Sequence, residues 1–236
     1  MKKIIEFKHW LGRLYWVIVK HYKDFQYKSK KTYKLLVAFI IGFFSRMQTD
    51  YDKINRIGAV IICAHPDDET IFFSSIIKRY KPYIICMSSR GNKIRKKEFL
   101  DALNYQKVDG TMWNFPDVPP FKLTQMEGVI TQSLKRLNKK CPNIKIIYTH
   151  NSCGESGNPN HFAISRAVQK IFGDKEVYLT AKLPNKIDML TDDQFEKKQY
   201  IIKNIYSSQY KMLSMWCPWF EHYMKYEHFE KAGLEE

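Results

Sequence analysis

The chain has 236 residues, 44% hydrophobic and 27% charged, with 39 Lys and Arg against 24 Asp and Glu. This composition excludes a disordered chain, a collagen-like fibre and a polytopic membrane protein, and the length suffices to bury one sizeable core. The cysteines at 63, 86, 141, 153 and 217 form no CxxC pair, and Cys63 and Cys86 lie inside apolar runs, which points to a reducing, cytoplasmic location.

Residues 1–56 hold 13 basic and 4 acidic side chains, a net of +9 out of +15 for the whole chain. Ile4, Phe7, Trp10 or Leu11, Leu14 and Ile18 recur near helical spacing, and Leu35 to Phe44 is an unbroken apolar-or-Gly run behind Lys28, Lys30, Lys31 and Lys34. As a helix that run covers about 15 Å, half of a hydrocarbon core of about 30 Å, so it does not span a bilayer. Glu6 and the early lysines interrupt the apolar start, and no small-residue cleavage site follows, so it does not read as a signal peptide. Two readings stay open for this basic helical extension. One is an interfacial anchor, with aromatic rings at headgroup depth and lysines on anionic lipid, making the protein peripheral on the cytoplasmic face of a membrane. The other is a pair of amphipathic helices packed on the main domain with the lysines in water. No zinc-finger or RNP sequence supports a nucleic-acid partner.

From residue 57 to 236 the pattern is that of one α/β domain. Ile57–Cys63, Tyr83–Met87, Thr111–Phe115, Ile144–Thr149 and Val177–Ala181 read as strands, separated by helical patterns near 68–80, 94–107, 124–139 and 161–172, with a long one near 191–213. The runs IGAVIIC and YIICM are continuously apolar, as in strands covered on both faces. The alternation predicts a Rossmann-like, mainly parallel sheet flanked by helices, with ligands beyond the carboxyl ends of its strands.

Two segments fall at such ends. Ala64-His65-Pro66-Asp67-Asp68-Glu69 follows the first strong strand. His65 and Asp68, three apart at a helix start, can turn to one point and suit zinc or a similar divalent ion, leaving Asp67 to handle protons. The second runs from Thr149 to His161 through two glycines and Asn-Pro. His161 opens the next helix and is placed to be a third ligand, leaving one coordination position for a water of lowered pKa. That constellation is a hydrolase. The bland alternatives are an Asp N-cap for the first segment and a capping or buried histidine for His161. Trp216, Trp219 and Phe220 line an acceptor groove or simply pack in the core.

On these residues the chain resembles the PIG-L/LmbE-like zinc de-N-acetylases, the family of the GlcNAc-phosphatidylinositol deacetylases and of many bacterial glycan-locus enzymes. The likeness covers about residues 57–230. It rests on the AHPDDE hexapeptide, on Gly91, Arg95 and Glu98, on Asp117 in NFPD, on Tyr206-Ser207-Ser208-Gln209, and on the THNxxGExGNxxH loop, which looks most like glycan-biosynthesis members. The resemblance implies one zinc, with iron as an alternative, on His65, Asp68 and His161. It makes Asp67 the general base, gives Arg95 and Asp117 to the substrate, and implies hydrolysis of an acetamide on a GlcNAc-type sugar, free or lipid- or phosphate-linked. One position departs: Asn158 stands where many members have a loop histidine. An amide can donate to an oxyanion but supplies no proton at neutral pH, so leaving-group protonation falls to Asp67 or to His150. The departure also motivates the rival reading of a glycan-binding relative that has lost turnover.

Overall fold

The computed structural model of the chain describes residues 49–89, 92–115, 117, 123–125, 127–180, 186–213 and 220–225. The arm at 1–48, Gly91, Trp216, Trp219 and the Phe220 side chain lie outside the described residues.

The elements in chain order are α1 (Tyr51–Ile57), β1 (Ala59–Cys63), α2 (Asp68–Tyr80), β2 (Tyr83–Cys86), α3 (Lys93–Gln106), β3 (Gly110–Met112), α4 (Glu127–Lys140), β4 (Ile146–Thr149), α5 (Pro159–Phe172), β5 (Glu176–Thr180), β6 (Lys186–Met189), α6 (Asp192–Tyr200), α7 (Tyr210–Leu213) and β7 (Phe220–Lys225). They build one sheet in the order β3-β2-β1-β4-β5-β7-β6. β3 through β5 are parallel, as the alternating pattern predicts, while β7 pairs antiparallel with β5 and β6.

Burial explains the continuous apolar strands. Val60 and Ile62 of β1 face α4 and α5, packing with Ile130, Leu134, Ile164 and Val168. Ile61 and Cys63 face the other layer, with Phe73, Ile76, Phe99 and Leu103 from α2 and α3. Each fully buried isoleucine contributes about 1.5–3 kcal/mol relative to exposure, so both faces of β1 anchor the domain. α1 belongs to this unit: Asp50 caps it by accepting from Lys53 N at 2.9 Å, and Ile54 is completely buried.

The sequence pattern differs from the structure in two places. β6, at the edge of the sheet, and β7, antiparallel between β5 and β6, mix charged and apolar residues (KIDM and FEHYMK) and lack the apolar run that marks a central parallel strand. A buried ion pair ties β7 to the helices: Lys198 Nζ lies 3.0 Å from Glu221 Oε1, and Glu221 also accepts from the amides of Ser74 and Ser75. The long helical pattern near 191–213 is likewise interrupted. After α6 the chain makes a wide π-type turn over Ile201–Ile205, with Tyr206 N donating to Ile201 O at 2.9 Å, and then a 3-10 turn over Ser207–Gln209 before α7. The extra residue per turn swings the Tyr206 ring fully inside, where its hydroxyl donates to Glu69.

Candidate active site

β1 ends at Cys63, and the next four residues turn back into α2. The turn is closed by His65 N donating to Asp68 Oδ2 at 2.8 Å. Asp67 carries φ 100, a conformation that L-residues rarely adopt. It is held there because its carbonyl receives the amides of Thr70 and Ile71 and its own amide donates to Glu69 Oε2 at 3.1 Å. Such a residue costs about 1–3 kcal/mol. Its carboxylate takes no part in capping α2; it accepts instead from the Arg95 guanidinium at 2.7 Å, which also donates to Pro66 O at 2.8 Å. Arg95 Nε is buried and has no hydrogen-bond partner among the described residues.

β1 and β4 are neighbours in register, with Ile62 opposite Thr149, so His150 emerges beside this turn. The loop that follows folds tightly on itself. Gly154 has φ 64, and a Cβ there would stand 2.2 Å from Asn158 O, so no other residue fits. Asn158 caps α5: its Oδ1 accepts from Asn160 N at 3.0 Å, with Pro159 entering the first turn. This cap aims His161 at the β1 turn. Glu155, inside the loop, lies under both imidazoles. Its Oε2 is 3.0 Å from His150 Nδ1 and 2.6 Å from His161 Nδ1, and its Oε1 accepts from Asn151 N and the Thr180 hydroxyl. The two rings stack, centroids 3.8 Å apart and 18° from parallel.

The ionised Glu155 can only accept, so His161 carries its proton on Nδ1 and presents a bare Nε2. That nitrogen faces Asp68 Oδ1 at 3.5 Å, one buried acceptor against another. Asp117 does the same for His65: its Oδ2 accepts from Nε2 at 2.9 Å, which leaves the lone pair on Nδ1, the nitrogen 3.8 Å from Asp68 Oδ2. Ligand atoms of His65, Asp68 and His161 all lie within 4.8 Å of one another. Tetrahedral bonds of about 2.0–2.1 Å put neighbouring ligand atoms about 3.3 Å apart. Two imidazole lone pairs and a carboxylate at this spacing, each imidazole backed by an outer carboxylate, fit a divalent cation. His150, Glu155 and His161 form a second close group. It fits less well, because Glu155 Oε2 already serves both Nδ1 protons and His150 Nε2 accepts from Ala64 N at 3.0 Å.

Charge follows the same geometry. Burial disfavours ionisation of Asp68, but His161, His150 and His65 outweigh it and hold its carboxyl well below the usual range. Burial likewise opposes ionised Glu155, yet His150 and His161 bring it down to about 2. Asp67 moves the other way: burial and the adjacent Asp68 carboxylate push it up, against the pull of Arg95. For His150, burial opposes the cation while Glu155 and Asp68 favour it, to about 10. The amide of Ala64 decides against the cation, since a protonated Nε2 would set two N–H hydrogens face to face. His150 is neutral, with its proton on Nδ1 and none exposed.

The fold thus brings His65, Asp67, Asp68, Arg95, Asp117, His150 and His161 together. It sets Asp117 on His65 and Asn160, with Asn160 Nδ2 donating to Asp117 Oδ2 at 2.9 Å, and Asn158 in a cap. Glu98 takes the Ser208 amide and hydroxyl, fastening the Tyr206–Gln209 stretch to α3. Sequence reasoning gave Glu155 and Asn160 no role. An acidic residue between two loop histidines was the available signal for Glu155.

Residues 60–172 match the family described as PIG-L: GlcNAc-PI de-N-acetylase. That match covers 113 of the 236 residues. Among curated relatives, the N-acetylglucosaminyl-phosphatidylinositol de-N-acetylase of Bos taurus is 28% identical over 150 residues, 56% of this chain and 54% of that protein. The chain spans about half the length of the curated PIG-L relatives it matches. In fold it resembles the A40926 pseudoaglycone deacetylase Dbv21, with TM-score 0.55 and 14% identity over 66% of this chain and 84% of that one. It also resembles GalB, the 4-carboxy-2-hydroxymuconate hydratase from Pseudomonas putida KT2440, with TM-score 0.51 and 13% identity over 71% and 95%. A deacetylase and a hydratase share this fold, so the fold itself does not choose the reaction.

Proposed function

We propose that the protein is a metal-dependent hydrolase that removes the N-acetyl group from a GlcNAc-type amino sugar in a glycan or glycolipid precursor. The observation that carries this reading is the convergence of His65, Asp68 and His161 beside an Asp67 held off its usual conformation and clear of any cap. A divalent cation there, zinc by the donor set with iron as the alternative, would supply a Lewis acid for the amide carbonyl and acidify a water.

The side chains supply the rest. Asp67, raised by burial but steadied by Arg95, accepts the proton of the attacking water. The buried Arg95 Nε offers an N–H to a substrate oxygen. Asn158 is an amide with its oxygen occupied, and both ring nitrogens of His150 are engaged, so neither delivers a proton to the leaving amine. Asp67 therefore returns the proton it took, and acetate and a free amine leave together. The named activity of the Bos taurus relative favours a phosphatidylinositol-linked sugar among the substrates to test first.

The same committed Asn158 and His150 favour the second reading, a glycan binder without turnover. Incubation of the zinc-loaded full chain with GlcNAc-bearing substrates, GlcNAc-phosphatidylinositol included, separates the two. Acetate and amine in equal amounts, abolished by chelation and in His161→Ala, is the expected result. Binding without acetate release across the panel would overturn the hydrolase.

A further inference from the structure

At the opposite edge of the sheet from the histidines, α2 and α3 end side by side and α6 packs against them. A cavity of about 300 Å³ opens there, lined by Lys78, Lys81, Tyr105, Gln106, Lys107 and Lys197 among others. Its lining on α2 runs from Ser74 to Lys81, so along the helix it begins about 9 Å from Asp68 and ends roughly 20 Å away, at the end where the lysines lie. That volume is at the lower end for small-molecule sites.

The charges in this hollow are not balanced. Lys197 is paired with Asp193 at 2.7 Å, and Lys198 behind it is paired with Glu221. No carboxylate lies within ion-pair distance of Lys78, Lys81 or Lys107 among the described residues. Lys81 Nζ reaches the Gln106 carbonyl at 2.8 Å, so the two helix ends are stitched together by a cation. Burial, and then the ammonium groups of Lys78 and Lys107, push Lys81 below its ordinary range.

The backbone adds an independent observation. Lys81 and Lys107 cap α2 and α3 with φ 47 and φ 53, the left-handed conformation for which glycine is the unstrained choice. Attraction to helix C-termini accounts for each lysine singly. It does not account for two of them, held in a disfavoured conformation, lining one concavity with Lys78, where the nearby carboxylate, Asp193, is paired with Lys197 and also draws on Lys78.

We propose that this hollow is a binding site for a phosphate-bearing anion, such as the phosphate ester of a sugar or polyol. Three ammonium groups match a group of two negative charges, to which lysine donates as a point charge from any direction. The Gln106 side chain, whose Nε2 donates to Thr70 Oγ1 at 3.3 Å, closes one wall, and Tyr105, stacked on Tyr200 with centroids 5.1 Å apart, offers a fixed ring edge to the rest of the ligand. A soluble ester and a lipid headgroup share this chemistry.

The test uses the full chain and the double variant Lys81→Gly, Lys107→Gly, in which both caps keep the conformation glycine prefers. Its melting temperature should equal or exceed that of the wild type. Inorganic pyrophosphate is titrated by calorimetry, and retention on phosphatidylcholine vesicles carrying phosphatidic acid or phosphatidylserine is measured in parallel. Saturable pyrophosphate binding, weakened about tenfold or more in the variant, is expected for the loss of two charge-assisted contacts. The basic arm acts on any anionic surface, so the reading is the excess retention on phosphatidic acid over phosphatidylserine vesicles of equal charge. If that excess is absent or unchanged in the variant, the source is soluble; if it falls alongside pyrophosphate binding, the source is a headgroup. Wild-type protein that neither binds pyrophosphate nor shows that excess, or a folded variant that matches the wild type in both, would overturn the site.

Discussion

Replacing Glu155 by Gln turns one oxygen of a buried carboxylate into an amide nitrogen and should cost the protein most of its hold on metal. In the wild type, Oε2 receives the Nδ1 protons of both His150 and His161, and Oε1 receives Asn151 N and the Thr180 hydroxyl. If the glutamine oxygen stays with Asn151 and Thr180, its NH2 faces two N–H groups. Both rings must then move a proton to Nε2, and His161 loses the lone pair that faces Asp68. If the amide turns over, Asn151 and Thr180 face the NH2, and the imidazoles keep only a neutral acceptor. Loss of an outer partner commonly lowers metal affinity about 10–100-fold. Here the tautomer and a charge-assisted bond fail together, which places the effect near 100-fold, about 2.7 kcal/mol. Zinc competition against a chromophoric chelator at neutral pH measures it directly. The acid limb supplies a second readout. Glu155 falls from 4.5 to about 2 in the fold, so its stabilisation is complete above about 4.5 and is lost as pH drops towards 2. Metal-free wild type should therefore lose stability over that window more steeply than the glutamine variant. A folded variant with zinc affinity within about twofold of wild type and the same acid profile would refute the assignment of Glu155 as the carboxylate that sets the histidine tautomers.

Three further outcomes are expected. Asp67→Asn should keep stoichiometric zinc and lose about 10²–10⁴ in turnover, as for removal of a general base; metal content and acetate release on one preparation distinguish this from a collapsed site. Tyr206→Phe removes the hydroxyl that donates to the buried Glu69, whose carboxyl burial lifts to about 7. Urea unfolding should show a loss of about 1–3 kcal/mol, and an unchanged midpoint would mean that the π-type turn does not serve that contact. Deleting residues 1–48 spares Thr49, which accepts from Trp113 Nε1, and Asp50, which caps α1. The shortened protein should still fold and should leave anionic vesicles that the full chain sediments with. Equal sedimentation would count against an interfacial anchor.

The parallel half of the sheet was legible because burial on both faces leaves a mark in composition: AVIIC and YIIC admit no alternation. β6 and β7 were not: an edge strand such as β6 can be written in residues that also suit loops, and β7 carries inside it a charged Glu221 that only the buried Lys198 makes tolerable. The π-type turn escaped for a different reason. Ile201, Ile202 and Tyr206 are all consistent with a continuing helix, and only the position of Glu69, 137 residues away in the chain, makes the wider turn worthwhile. Asp67 is opaque in the same way, because nothing in the dipeptide Asp67-Asp68 announces that the first will be forced to φ 100 by the amides above it.

The site residues divide along the same line. His65, Asp68 and His161 could be paired from sequence because strand ends are where an α/β sheet gathers side chains, and the register of β1 against β4 then does the rest. Orientation could not be read that way. His150 and His161 stack ring on ring, yet Ala64 N binds one at Nε2 while the other turns its Nε2 towards Asp68. What separates a histidine with both ring nitrogens engaged from the proposed ligand is a single amide proton 86 positions upstream in the chain. Asn158 shows the complementary point. By the family resemblance it stands where many members have a histidine, but its oxygen fixes the first turn of α5 and hence the direction of His161. A histidine put back at 158 would therefore trade a cap for an acid. Whether turnover rises then depends on whether α5 keeps its start, which makes metal affinity, rather than rate alone, the quantity that interprets that substitution.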